Sequence, residues 1–320
     1  MTRERRIIVG SSALVAILLA GISSAADDAP TSKSAEPLKL LPPLPLVPGA
    51  KVMTLWPAGS PMLKALDGWD KPEVFSRSKG KPDRVDSVTN IHNPSIEVHL
   101  APPDKANGMA VIVAPGGGNT TCVVGTEGVD IANWLNGLGI HAFIERYRLK
   151  PYGSQTDALA DTQRCFRIVR ANAKEWGVDP KRVGIMGFSA GGEQAALAAL
   201  HFDAGKADAA DSVERSSCRP DFTVLVYAGW RNLDLSQIPK DAPPAFLVSA
   251  GLGDASHAKR TVEFYDAYFQ AKVPVELHIY ARGGHGGGIG SRKGIPLGTW
   301  PVRFMEWAND QEFMTPSGRN

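Results

Sequence analysis

The stretch Val183-Gly184-Ile185-Met186-Gly187-Phe188-Ser189-Ala190-Gly191-Gly192-Glu193 decides the fold. Its first four residues are a short apolar run of strand type, and from Glu193 to Leu200 the chain becomes rich in Ala and Leu, as helices are. Between the two, Gly187 to Gly191 match the pattern G-x-S-x-G, in which a serine sits on a sharp strand-to-helix turn with its hydroxyl exposed at the C-terminal edge of a sheet. Such a turn needs small neighbours, because strained backbone at the serine must pass close to the next strand and helix. Gly187, Ala190, Gly191 and Gly192 supply them. The helix that follows aims its N-terminal N–H groups at any negative charge developing on the serine's reaction partner. A plain serine N-cap is the competing reading, and it requires neither the strand before nor the glycines around it.

Upstream, the apolar run Met109 to Ala114 is followed by Pro115-Gly116-Gly117-Gly118-Asn119-Thr120-Thr121. Three glycines directly after a strand let backbone N–H groups face a ligand unobstructed, as in the Gly-rich oxyanion loops of lipases and esterases. Gly117 or Gly118 is the expected donor, together with Ala190, and Gly116 stays open. Asn119 and Thr120 are expected to line the substrate pocket, with Cys122 close by.

In this chain order the acid and then the histidine follow the serine. Four histidines do so: His201, His257, His278 and His285. His201 ends the helix after the serine, and His278 lies inside the strand-like run Val275 to Tyr280, so both read as structural. His285 sits among glycines in Gly283-Gly284-His285-Gly286-Gly287-Gly288, directly after the last strand, where an imidazole can swing over the sheet edge. The loop after the preceding strand, Gly251 to His257, carries one carboxylate, Asp254, suited to hold the imidazole's other N–H; His257 beside it is a rival imidazole or a pocket residue. Glu127 and Asp130 read as openers of the next helix, Asp161 with Arg164 as a cap or ion pair, and Glu145, Arg146 and Arg148 as strand-end charges.

Eight strands are expected, near Val52–Trp56, Ile96–Leu100, Ala110–Ala114, His141–Tyr147, Arg182–Met186, Phe222–Tyr227, Ala245–Ala250 and Val275–Tyr280. Helical spacing of apolar residues marks 128–138, 155–176, 190–201, 258–271 and 300–309. The alternation predicts a mostly parallel eight-stranded sheet with helices on both faces, the α/β-hydrolase fold. With 320 residues, 43% of them hydrophobic, the chain can bury one large core, and a net charge of +2 with dispersed cations offers no footprint for nucleic acid or anionic lipid. Arg3, Arg5 and Arg6, the apolar run Ile7 to Leu19 and the small residues Ser23 to Ala26 read as an export signal over 1–26, which implies a periplasmic or secreted protein with no lasting membrane insertion; an uncleaved anchor is the competing reading, for which the apolar run is short. Residues 27–50 read as a Pro-rich linker, 51–310 as the catalytic domain and 311–320 as a tail. Three cysteines, Cys122, Cys165 and Cys218, allow at most one bridge and match no zinc pattern.

From Lys51 to about Trp307 the chain resembles secreted bacterial α/β-hydrolases of the acetyl xylan esterase and carbohydrate esterase group. The resemblance rests on Pro115 to Gly118, Glu127-Gly128, Tyr147-Arg148-Leu149, Asp161 to Arg164, Gly184 to Gly192, Arg219 to Phe222 and His278 to Gly286. It implies Ser189, Asp254 and His285 as a catalytic triad acting on a small or carbohydrate ester, with no metal or organic cofactor. Asn119-Thr120-Thr121 stands where relatives often have an aromatic residue, which implies a more polar pocket wall. Some relatives carry xylanase labels, yet glycosidic cleavage needs two carboxylates flanking the bond, and no such pair accompanies the serine machinery. A peptidase or amidase with the same triad, and a non-catalytic carbohydrate-binding protein on this scaffold, are the remaining alternatives.

Overall fold

The computed structural model describes residues 40–66, 69–231, 233–289 and 294–315. The expected signal segment and residues 27–39 of the linker lie outside them. Among the described residues no helix is long and apolar enough to cross a membrane.

The central sheet has eight strands: β1 (Lys51–Thr54), β4 (Ser95–His99), β5 (Ala110–Ala114), β6 (His141–Arg146), β7 (Val183–Phe188), β8 (Thr223–Val226), β9 (Ala245–Leu252) and β10 (Val275–Arg282), in the order β1-β4-β6-β5-β7-β8-β9-β10. Both β1–β4 and β4–β6 pair antiparallel, and every pair from β6 to β10 is parallel. Strands buried on both faces read as continuous apolar runs, and β5 divides its side chains accordingly. Val111 and Val113 enter one core with Phe188, Phe246 and helices α1 (Asp130–Gly137) and α6 (Trp300–Asp310). Ala110 and Ile112 enter the other with Phe143, Phe264 and helices α2 (Leu159–Ala171), α3 (Ala173–Trp176), α4 (Ala190–Leu200) and α5 (Ala255–Gln270). The fold is therefore the α/β-hydrolase fold that the strand and helix alternation predicts.

Three features differ from expectation. A separate hairpin, β2 (Val74–Ser78) with β3 (Lys81–Thr89), is inserted between β1 and β4; its charged, half-exposed residues give little strand pattern. The domain boundary at Lys51 falls inside packed structure: Leu46 is buried and donates its N–H to Glu97 Oε2 at 2.6 Å, while Arg146 Nη1 donates to Leu44 O at 2.8 Å. The first residues of the expected tail are also held, since Phe313 packs on Phe222 at 4.7 Å between centroids and its carbonyl accepts from Arg182. In both segments apolar side chains find a core face that composition alone does not reveal.

The buried ion pairs are also partnered differently. Asp161 pairs with Arg148 through both carboxylate oxygens at 2.8 Å, and Arg164 reaches instead to Asp211 and Glu214. Asp161 and Arg148 are both fully buried, a placement that only such a two-point, hydrogen-bonded pair sustains.

Candidate active site

Parallel strands β5 and β7 lie side by side and end at the same edge, so the glycine loop after β5 and the serine turn after β7 meet there. Ser189 has φ 51° and ψ −117°, the strained geometry of a nucleophile elbow. The turn closes against β5 so tightly that a Cβ on Gly191 would lie 2.0 Å from the carbonyl oxygen of Ala114.

Ser189 Oγ lies 2.7 Å from His285 Nε2, and His285 Nδ1 lies 2.9 Å from Asp254 Oδ2. An ionised carboxylate only accepts, so Nδ1 carries the proton and Nε2 is left to accept from the serine hydroxyl. Asp254 is nearly buried while His285 is about a third exposed (5% and 36% of the side chain), which leaves the serine end open to a ligand. The structure thus brings together the three residues that chain order singled out.

His257 is the residue whose place the sequence left undecided. Its Nδ1 lies 2.5 Å from Asp254 Oδ1, and its ring stacks on His285 with centroids 4.2 Å apart. The two imidazoles therefore share one carboxylate, an oxygen each. Asp254, His257 and His285 also stand close enough to offer ligand atoms to one metal ion, with all three within 4.8 Å of one another; their mutual hydrogen bonds account for that spacing. His257 further lines a cavity of about 250 Å³ with Trp230, Arg231, Ser256 and Arg260. Asn119 and Thr120, expected in the pocket wall, stand half-buried and exposed in the glycine loop. Thr120 Oγ1 donates to Gly117 O at 3.1 Å, and Asn119 O accepts from Lys150 N at 2.8 Å.

Glu127 bears on the choice left open among the glycines. Gly116 N–H donates to Glu127 Oε2 at 2.9 Å and is spent. The N–H groups of Gly117, Gly118 and Ala190 bond to no acceptor among the described residues. Gly117 holds φ 131° with its carbonyl accepting from the N–H groups of Thr120 and Thr121, a conformation in which a Cβ would strike Thr121. Glu127, expected to open a helix, lies in a single π-helical turn, Gly125–Val129, and is 3% exposed. Burial pushes its carboxyl above the ordinary value, against the pull of hydrogen bonds from Tyr227, Gly116 and Gly287 and of the nearby His285. Its signal in the sequence is the Glu127-Gly128 pair, one of the stretches on which the family resemblance rests, which marks the region without giving the side chain a role.

Comparisons with known proteins bear on the fold. The BD-FAE family profile matches residues 97–248. An acetylxylan esterase from Xylanibacter ruminicola is 30% identical over 219 residues, which cover 59% of this chain and 43% of that protein. An endo-1,4-beta-xylanase B from Butyrivibrio fibrisolvens is 27% identical over 211 residues, 57% of this chain and 33% of that protein. The chain thus spans less than half the length of these relatives. Among solved structures, an acetyl ester-xyloside bifunctional hydrolase from Caldicellulosiruptor lactoaceticus superimposes with a TM-score of 0.67 at 29% identity, covering 84% of this chain and 98% of that one. In fold the chain is an α/β-hydrolase, and in sequence it is similar to the Xylanibacter ruminicola acetylxylan esterase over part of its length.

Proposed function

We propose that this protein is a serine esterase that cleaves carboxylic esters, acetyl esters of carbohydrates foremost, through an acyl-enzyme on Ser189. The observation that carries the reading is the unbroken hydrogen-bonded line Ser189–His285–Asp254 beside unspent N–H groups. His285 Nε2 takes the Ser189 proton as Oγ attacks the ester carbonyl. Asp254 holds the tautomer and stabilises the imidazolium. Ala190 N–H with Gly117 or Gly118 N–H receives the oxyanion. His285 then passes the proton to the departing alcohol, and water, activated by the same imidazole, cleaves the acyl-enzyme. Acetylated sugar as the alcohol part is favoured by the relatives and by the open cavity with a polar rim beside His257.

Glycosidic cleavage gains no support here. Glu127, Glu193 and Asp254, the carboxylates around the serine, are buried and accept protein donors, so none is placed to protonate a glycosidic oxygen. The test is S189A assayed on p-nitrophenyl esters of increasing acyl length, on acetylated xylan and on acetylated monosaccharides. Wild type should release acetate and S189A should lose at least about 10³-fold in turnover while staying folded. Retained turnover in S189A would sink the assignment, and preference for aminoacyl amides over acetyl esters would move it to a peptidase.

A further inference from the structure

We propose that Glu127 is a positioning residue that fastens the oxyanion loop to the loop carrying His285, an inference that rests on the serine esterase reading. Its two carboxylate oxygens serve the two loops. Oε2 accepts the Gly116 N–H at 2.9 Å, at the base of the glycine loop. Oε1 accepts the Tyr227 hydroxyl at 2.9 Å, and that hydroxyl accepts the Gly288 N–H at 2.9 Å, three residues beyond His285. A further hydrogen bond comes from the backbone of Gly287.

Both loops lie against this residue with no room to spare. A Cβ on Gly116 would stand 2.7 Å from Glu127 Oε2, and one on Gly288 would stand 2.1 Å from the carbonyl oxygen of Thr126. Tyr227 adds a second hold, its ring meeting His285 edge to face with centroids 5.1 Å apart. A carboxylate this buried costs several kcal/mol of desolvation unless matched by donors. The donors it has are all N–H or O–H groups, which suit the ionised, acceptor-only form. By taking the Gly116 N–H, Glu127 fixes the Pro115–Gly116 peptide, which leads directly into the two peptides that carry the Gly117 and Gly118 N–H groups. Through Tyr227 and the Gly286-Gly287-Gly288 run it fixes the far side of the imidazole.

The charge has a consequence that packing alone lacks. The groups facing His285 are Asp254 and His257 at the start of α5, Tyr227 after β8, Ser189 after β7 and Glu127. Two of these, Asp254 and Glu127, are carboxylates that favour the imidazolium formed during attack.

E127Q, Y227F and the double variant separate these roles, with kcat, KM, the rate of Ser189 phosphonylation, melting temperature and the acid limb of kcat/KM as readouts. E127Q should lower kcat on p-nitrophenyl acetate about 10²-fold, the scale of a misplaced oxyanion donor, with KM within about threefold. Its phosphonylation should slow in parallel, and its acid limb should move to lower pH, because a negative charge beside the imidazole is gone. Y227F keeps that charge, so its limb should stay while kcat falls about tenfold, and the double variant should be no worse than E127Q. A folded E127Q that keeps wild-type kcat and phosphonylation overturns the proposal while the serine reading stands, as do fully additive losses in the double variant. If E127Q does not fold, Y227F decides alone, and wild-type kcat in it overturns the proposal. If wild-type Ser189 resists phosphonylation and S189A stays active, the serine reading falls and the clamp falls with it.

Discussion

Replacing Asp254 by Ala should separate rate from stability with unusual clarity. Asp254 occupies the N-cap position of α5, yet its side chain makes no capping bond; both oxygens go to imidazoles instead. The substitution therefore removes no cap; it removes a carboxylate near the helix N-terminus, worth about 0.3–1 kcal/mol, and two hydrogen bonds to imidazoles that are partly exposed to water. For a domain of this size that is a melting shift of about 1–4 °C. The rate is another matter, because Nδ1 of His285 loses both its orienter and its counter-charge. Loss of the acid from such a triad costs about 10⁴-fold in kcat, or about 5.5 kcal/mol at about 1.36 kcal/mol per decade. H257A supplies the contrast: it strips one donor from Oδ1 at a site where water can enter, its side chain being 29% exposed, and should cost about tenfold. The assay is steady-state turnover of p-nitrophenyl acetate beside thermal unfolding for wild type, D254A and H257A. A D254A enzyme within tenfold of wild type would refute the role of the acid. H257A as damaged as D254A, with H285A mild, would refute the choice of imidazole.

Two predictions concern the scaffold. A Cβ at Gly184 would lie 2.2–2.4 Å from three ring atoms of Phe222, a buried ring packed against Phe313 and Trp307, so G184A should lower stability by about 1–3 kcal/mol in urea unfolding. Burial holds Glu145 at about 8 and Glu73 at about 7 instead of the ordinary 4.5, so both are favoured neutral in the folded state. Their stabilisation is complete below about pH 4.5 and drains as pH rises to about 8. The melting temperature should fall across that window, and E145Q, which keeps an acceptor for Thr162, should flatten the decline; an unchanged slope would refute it.

Much of this was legible because the inner strands of the sheet are parallel and buried on both faces. Runs such as Ala110 to Ala114 have no polar residue to blur them, and all eight central strands announce themselves. The serine, acid and histidine were legible for a different reason: each sits on a loop directly after a strand, where glycine marks the turn and chain order restricts the choice. The hairpin β2–β3 was not, because its side chains are charged and half exposed. Glu127 was not either, since a carboxylate early in a helical stretch is an ordinary thing to find. Its meaning arises only when Gly116, Tyr227 and Gly288, distant in sequence, converge on it. His257 illustrates the same limit at short range: three residues from Asp254, it could have pointed anywhere until the stack on His285 was seen.

The three cysteines, all unpaired and each with no measurable exposure, give the chain a built-in clock. Burial pushes the Cys122, Cys165 and Cys218 thiols upward, away from the reactive thiolate. Native protein should therefore ignore a thiol-labelling reagent, and each label acquired records an opening event. Cys122 is the informative one, because its backbone exchanges both hydrogen bonds with Val88 of the hairpin just beyond the glycine loop. Labelling there, compared with Cys165 inside α2, would time how often that end of the loop breathes while the helices behind the sheet stay shut.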